Sequence, residues 1–293
     1  MSEEQFVIYD KKIYQINELT NCIDENIVLY TKKSKEEFLL KKHVTVSEIE
    51  FAAYESYLLD VIDKKVAEKK LDVSKVRTQQ LFAETDTLLE LQKRFGLEPF
   101  RTEDGYLLPP ASDFGVFSMM ANKKNSCDLV RFYEYTHCFR KEEEVIGMKR
   151  RKVFHLPDFH SFLKTQKIEL EFKEMLQFHY EILSSLEIPF FFAIRITKEE
   201  YKKYENFLMK ISVSMNMPIV VNVYDRTIRY WEAKMKYIYL DRNKNFIQLA
   251  TVQIDYSSPI LFLMEGVDCI IHSTPGSIER LIYVLKDIEF KLK

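Results

Sequence analysis

Between Arg131 and Phe162 the chain reads RFYEYTHCFRKEEEVIGMKRRKVFHLPDFHSF, and the charged middle of that stretch holds the residues best able to do chemistry. Arg140 and Glu142 follow one aromatic-rich run, and Arg150, Arg151 and Lys152 precede the next, just before Phe154. Guanidinium groups pair with phosphate through planar, charge-assisted bonds, and a neighbouring ring can stack on a base. The set suits a nucleotide; the alternative is a solvated, charged loop end. A second set lies in HSTPGSIERLIYVLKDIEF, where Gly276 precedes a helix with Ile278, Leu281, Ile282, Leu285 and Ile288 at helical spacing. Glu279 and Arg280 then fall in its first turn, where a glycine lets a ligand approach the backbone and an arginine can reach a phosphate.

These groups need a scaffold. LVRFYEYTHCF and KVFHLPDFHSF have the β-branched and aromatic content of strands, and the charged connection makes them a long antiparallel hairpin. Phe51, Tyr54, Leu58, Val61 and Ile62 share one face of a helix capped by Ser47 and running to about Lys70. Residues 80–100 read as helical, ending near Gly96 and Pro99. TQKIELEFKEMLQFHYEILSSL and KEEYKKYENFLMKIS are further amphipathic helices, and IPFFFAIRI, PIVVNVYD and KYIYLD are strands, with Tyr230, Trp231 and Lys234 between the last two. Ahead of this, QFVIYDKKIYQI and NIVLYTK read as strand-like pieces of a small N-terminal extension over residues 1–45, leaving 46–293 as the main domain. The class expected is α+β.

Composition narrows the function. The chain has 293 residues, 46% hydrophobic and 14% aromatic, enough for a substantial core. Its 43 basic and 45 acidic side chains leave a net charge of −2, which excludes a global positive field, so any RNA contact would be local. The 4 cysteines, Cys22, Cys127, Cys138 and Cys269, form no CxxC pair, and no apolar run is long enough for a bilayer span or a secretory signal. A cytoplasmic setting without membrane contact is expected.

Taken together, the hairpin and the glycine-led helix resemble motif 2 and motif 3 of class II aminoacyl-tRNA synthetases, and the stretch FIQLATVQIDYSSP resembles the strand before motif 3 in threonyl-tRNA synthetase. The resemblance covers about residues 105–290. It implies a class II antiparallel sheet flanked by helices, and ATP-dependent activation of an amino acid or similar carboxylate as an acyl-adenylate. By resemblance, Arg140 holds the α-phosphate and the substrate carboxylate, Glu142 the adenine amino group, and Phe154 stacks on adenine. Arg150 and Arg280 bind the outer phosphates, Gln248, Gln253 and Ser277 contact ribose or adenylate, and Mg²⁺ bridges the phosphates. Asp158 matches a residue that contacts the amino acid, and Lys234 matches the lysine of a Tyr-Gly-Pro-Lys segment in which Trp231 replaces the tyrosine.

The chain departs from the family elsewhere. Asp113 stands where threonyl-tRNA synthetase has the first of three zinc ligands, Ile146 is matched to the second, and His272 lies near the third, one residue short of the usual spacing. No metal is therefore expected, which points to a substrate other than threonine, with Asp113 and His272 left to meet a substrate amine or water. The helix after Ser47 corresponds to motif 1 and implies a homodimer, although LDVSKVRTQQLF lacks the motif's proline. The family's anticodon-binding domain has no counterpart, so a tRNA acceptor arm, a carrier protein and a small amine all stand as acceptors. The alternative to an enzyme is a non-catalytic paralogue that senses a nucleotide or amino acid.

Overall fold

The computed structural model describes residues 4–16, 26–27, 30, 46–123, 128–226 and 229–292. Its strands are β1 (Glu4–Tyr9), β2 (Lys12–Gln15), β3 (Ser74–Lys75), β4 (Phe100–Arg101), β5 (Leu107–Leu108), β6 (Leu129–Phe139), β7 (Val153–Leu163), β8 (Phe191–Thr197), β9 (Ile219–Tyr224), β10 (Ala233–Leu240), β11 (Phe246–Asp255) and β12 (Cys269–Thr274). The α-helices are α1 (Glu48–Glu68), α2 (Asp86–Phe95), α3 (Asp113–Ala121), α4 (Ile168–Ser185), α5 (Lys198–Met215), α6 (Ser257–Leu261) and α7 (Ile278–Asp287). Ten strands form one sheet in the order β2-β1-β9-β8-β10-β11-β12-β7-β6-β3. Among the described strands, only β8–β9 and β3–β6 run parallel. The α+β expectation and the long hairpin hold, the latter as an unbroken antiparallel register from Leu129↔Leu163 to Phe139↔Val153.

Strand alternation decides what each face of the sheet carries. On one face Ile194 and Ile196, Met235 and Tyr237, Val252 and Ile254, and Cys269 and Ile271 join a single core with α1, α4, α5 and α7. On the other face two smaller apolar clusters stand apart. One packs Phe162 and Ile270 against Leu91 of α2 and Phe114 and Phe117 of α3; the other joins Val7, Phe191, Ala193 and Ile238. Continuing the same alternation beyond these clusters brings up Asp158 and His160 on β7, His272 on β12, Gln253 on β11, Lys234 on β10 and Arg195 on β8. The polar positions inside otherwise apolar strands thus share one face.

Local signals account for most element ends. Ser47 and Glu50 close a capping box on α1, and Thr85 caps α2, which ends at Gly96 in the left-handed region. The helix expected over 80–100 is shorter, because Phe82 bridges Leu107 and holds the approach to α2 extended. Residues 4–16 of the N-terminal segment form the β1–β2 hairpin and extend the main sheet through β9. The strand-like piece NIVLYTK lies mostly outside the described residues. No helix among the described residues is long and apolar enough to cross a membrane.

Candidate active site

A cleft of about 760 Å³ opens on the polar face, lined from the β6–β7 hairpin across to β8. Its size is that of a small-molecule site. Arg140 leaves the end of β6 with its guanidinium 4.9 Å from the Phe154 ring centre and 5.8 Å from that of Phe95, while its Nε donates to the Pro110 carbonyl at 3.0 Å. Stacking and one hydrogen bond fix the plane of the group. Glu142 and Arg150 pair with each other, the guanidinium donating through Nε at 2.9 Å and Nη2 at 2.6 Å. A ligand that takes either must open this half-exposed pair.

Arg280 comes in from α7. Ser277 caps that helix, and Gly276 before it has φ +119°, with a Cβ there meeting Leu249 backbone atoms from 3.4 Å. Glycine is required by backbone conformation at this turn, where α7 closes on β11. Arg280 donates from Nε to the Lys149 carbonyl at 2.7 Å and from Nη1 to the Gln248 carbonyl at 3.2 Å. Burial, with the charge of Arg140 added, pulls its pKa down to about 10. Lys149 is itself held by a buried ion pair to Asp241 at 2.6 Å, so the tip of the hairpin is tied to the β10–β11 turn.

Next to this cationic end lies a buried acid and imidazole cluster. Asp113 at the start of α3 faces His160 Nε2 at 3.5 Å and His272 Nδ1 at 3.4 Å, and His272 Nε2 meets Asp255 Oδ2 at 2.9 Å. Burial opposes the charge on Asp113, but the imidazoles of His160 and His272 beside it hold its pKa well below the usual carboxylate range. Burial likewise opposes the imidazolium of His272, and Asp113 and Asp255 overcome it, pushing its pKa up to about 9. Asp158 accepts from Ser112 Oγ at 2.8 Å; burial, with the charge of Asp113 added, raises its pKa.

The donor set fits a divalent cation. One atom each from Asp113, His160 and His272 lie within 4.8 Å of one another, and Asp113 Oδ1 and His160 Nε2 are buried without a hydrogen-bond partner. The outer nitrogens are occupied in the way metal-bound histidines require, His272 Nε2 by Asp255 and His160 Nδ1 by Ser112 Oγ at 3.4 Å. One carboxylate and two imidazoles suit zinc with an open position. The assignment of Ile146 to the second ligand position is corrected by this geometry: Ile146 sits in the hairpin loop, bridged to Arg150, and the residue facing Asp113 is His160. The expectation of no metal rested on that assignment together with Asp113 at the first position and the short spacing of His272.

The other sequence-chosen residues also line the cleft. Gln253 accepts from the Tyr230 hydroxyl at 3.4 Å, and Gln248 contributes its carbonyl to Arg280. Trp231 lies under Lys234 at 5.9 Å and Arg195 at 5.7 Å. Burial pushes the Lys234 amine well down, with Lys236, Arg140, Arg280 and Arg195 adding to the effect. Sequence reading missed His160 and Arg195. The signal for His160 was present, since it lies two residues beyond Asp158 on the same strand face.

A predominantly antiparallel sheet flanked by helices, with an arginine-lined cleft on one face, defines an α+β protein with a cationic small-molecule cleft. The fold is similar to that of a threonyl-tRNA synthetase RNA binding domain from Cryptosporidium parvum, with TM-score 0.68, 23% identity and coverage of 82% of this chain and 66% of that one. It is also similar to prolyl-tRNA synthetase from Giardia lamblia in complex with prolyl-adenylate, with TM-score 0.65, 13% identity and coverage of 86% and 49%. In sequence, threonine–tRNA ligase of Methanosphaerula palustris is 32% identical over 215 residues, 68% of this chain and 35% of that protein. The corresponding ligase of Methanobrevibacter smithii is 30% identical over 206 residues, 64% of this chain and 34% of that protein. The chain thus spans about a third of the length of these relatives. Residues 95–288 match the tRNA synthetase class II core domain (G, H, P, S and T), and the chain belongs to that family.

Proposed function

We propose that this chain activates an amino acid or similar carboxylate with ATP, forming an acyl-adenylate that is passed to an acceptor. The observation that carries the reading is the convergence of Arg140, Phe154 and Arg280 on one cleft, beside buried Asp158 and Asp113. Attack of a carboxylate on the α-phosphate brings two anions together. Its barrier falls chiefly through charge neutralisation and alignment, not covalent help from the protein. Arg140, braced by Phe154 and Pro110, would bridge the carboxylate and the α-phosphate. Arg280, fixed by two backbone carbonyls, and Arg150, once released from Glu142, would take the outer phosphates with Mg²⁺, and the freed Glu142 would accept from the adenine amino group. Gln248, Gln253 and Ser277, which line the same cleft, would contact the ribose or adenylate.

The amino acid end would be held by Asp158, with Asp113, His160 and His272 as ligands of a divalent cation. Such a cation supplies a Lewis acid for a substrate amine or hydroxyl. Asp255 keeps His272 oriented, and Ser112 does the same for Asp158 and His160. The acceptor, which by the relatives' names would be a tRNA, and the assembly into a homodimer through α1 belong to the same reading. ATP-dependent pyrophosphate exchange across the proteinogenic amino acids, run beside calorimetric ATP titration, tests it. Binding of ATP with Mg²⁺ and exchange with one or a few amino acids is the expected result. Absence of ATP binding at millimolar concentration refutes it.

A further inference from the structure

Arg195 has no part in the adenylate reading above, and its neighbour across the sheet is Lys234. They are directly opposite each other on neighbouring antiparallel strands, β8 and β10, and both line the cleft. Burial is the largest cause, and Arg195 one of the nearby charges, that hold the Lys234 amine well below its ordinary pKa. Neither has a carboxylate partner among the described residues, and Arg195 Nε is buried without a hydrogen-bond partner. Buried polar atoms are nearly always satisfied, so an unsatisfied guanidinium nitrogen facing a cleft calls for an explanation. The group is also held in place: its carbon sits 4.5 Å from the Tyr224 ring centre and 5.7 Å from that of Trp231. Two aromatic rings fix the plane of a guanidinium without neutralising it, which is the arrangement for presenting its planar edge to a carboxylate or phosphate.

Position separates Arg195 from the hairpin groups that face ATP. In the sheet order, β8 is four strand spacings from β7, roughly 19 Å at about 4.8 Å each. Phe154 and the hairpin arginines sit at the β7 end and Arg195 at the other. We propose that Arg195 and Lys234 form a separate anion subsite on the β8–β10 wall, which receives an acidic group carried either by the substrate being activated or by the acceptor. The proposal rests on the adenylate-forming reading for the identity of those two molecules. The subsite itself follows from the uncompensated pair.

Trp231 is the only tryptophan in the chain, so its emission reports this wall directly. Titration of the whole chain with inorganic phosphate and with O-phosphoserine is expected to give a saturable change that serine does not give. Arg195→Gln should weaken both responses by about tenfold or more, as loss of a charge-assisted contact does. Arg195→Lys should weaken them less, and the affinity for ATP by calorimetry should hold in both variants. Pyrophosphate exchange then distinguishes the two sources. Faster exchange with O-phosphoserine or glutamate than with serine or glutamine, lost in Arg195→Gln, places the acid on the substrate. Exchange indifferent to side-chain charge, with transfer slowed in Arg195→Gln, places it on the acceptor. Emission that ignores phosphate and O-phosphoserine, or responds equally in Arg195→Gln, overturns the proposal, as does an equal loss of ATP affinity. The emission readout needs no turnover, so its failure is separate from a failure of the chain to bind ATP.

Discussion

Asp241→Ala should cost more stability than any substitution on the exposed surface, and the structure gives the magnitude. The carboxylate of Asp241 accepts from Lys149 Nζ at 2.6 Å, the Tyr283 hydroxyl at 2.8 Å, and the backbone N–H groups of Asn243 and Asn245 at 2.9 and 2.8 Å. The side chains of Lys149 and Asp241 are 5% and 0% exposed. Truncating one partner of a buried ion pair leaves the other charge uncompensated, at a cost of about 3–5 kcal/mol. Lys149→Met alone should cost less, because Asp241 keeps its neutral donors. The double variant Lys149→Met/Asp241→Leu should recover part of the loss, since no charge then remains buried. The pair also carries function, because the Lys149 carbonyl is what Arg280 Nε binds, so the single Asp241 variant should weaken ATP binding as well. Urea unfolding of the four proteins, with calorimetric ATP titration on those that fold, is the assay. A loss below about 1 kcal/mol for Asp241→Ala, the range of an exposed pair, would refute the reasoning.

Three further outcomes are expected. One equivalent of Zn²⁺ or Co²⁺ should bind, with the d–d absorption of cobalt reporting tetrahedral coordination, and His160→Ala should abolish it; retention of binding in that variant would return the cluster to a buried hydrogen-bond network. Arg140→Ala should lower exchange by about 10²–10³-fold, as removal of one transition-state donor does, while exposed Arg151→Ala changes it little; equal effects would mean that the hairpin is read in the wrong register. His155 donates to Glu279 at 2.9 Å, and that hydrogen bond raises its pKa above 6.5 against the opposing effect of burial. A raised folded-state value stabilises below 6.5 and loses that contribution as pH rises through it, so thermal unfolding of the wild type should fall over this window and that of His155→Asn should be flatter; identical pH dependence would remove His155 as the cause.

The fold was legible because each element carried a local signal. The hairpin runs are aromatic and β-branched, α1 has its capping box, and α7 opens on glycine and serine. The approach to α2 was misread as helix because its extended conformation depends on a bridge between Phe82 and Leu107, a partner that no local window contains. The cationic end of the cleft was legible for a similar reason, since Arg140, Arg150 and Phe154 fall on one hairpin and Arg280 follows the glycine turn. The acid and imidazole cluster was only half legible. Asp113, His160 and His272 come from α3, β7 and β12, and their meeting depends on the pairing of β12 with β7, which sets His272 opposite His160. Sequence spacing says nothing about that register. Arg195 was invisible for a different reason: on a run as apolar as IPFFFAIRI, one arginine reads as a strand end until its neighbours prove to be a lysine and two rings.

The two faces of the sheet therefore answer to different constraints. On the helix-covered face, Phe172, Ile194, Met235 and Leu281 interlock in one core, where a change of volume is felt at once. On the other face, Trp231, Lys234 and Arg195 line the cleft. Arg140 and Arg280 line it as well, each pinned to backbone carbonyls from other elements, Pro110 for one and Lys149 and Gln248 for the other. Replacing either removes a donor from those carbonyls, so the cationic end of the cleft is tied to the fold itself. Asp113 is tied only to two imidazoles that would as readily face a cysteine. A substitution at Asp113 would therefore leave the backbone anchors of Arg140 and Arg280 in place.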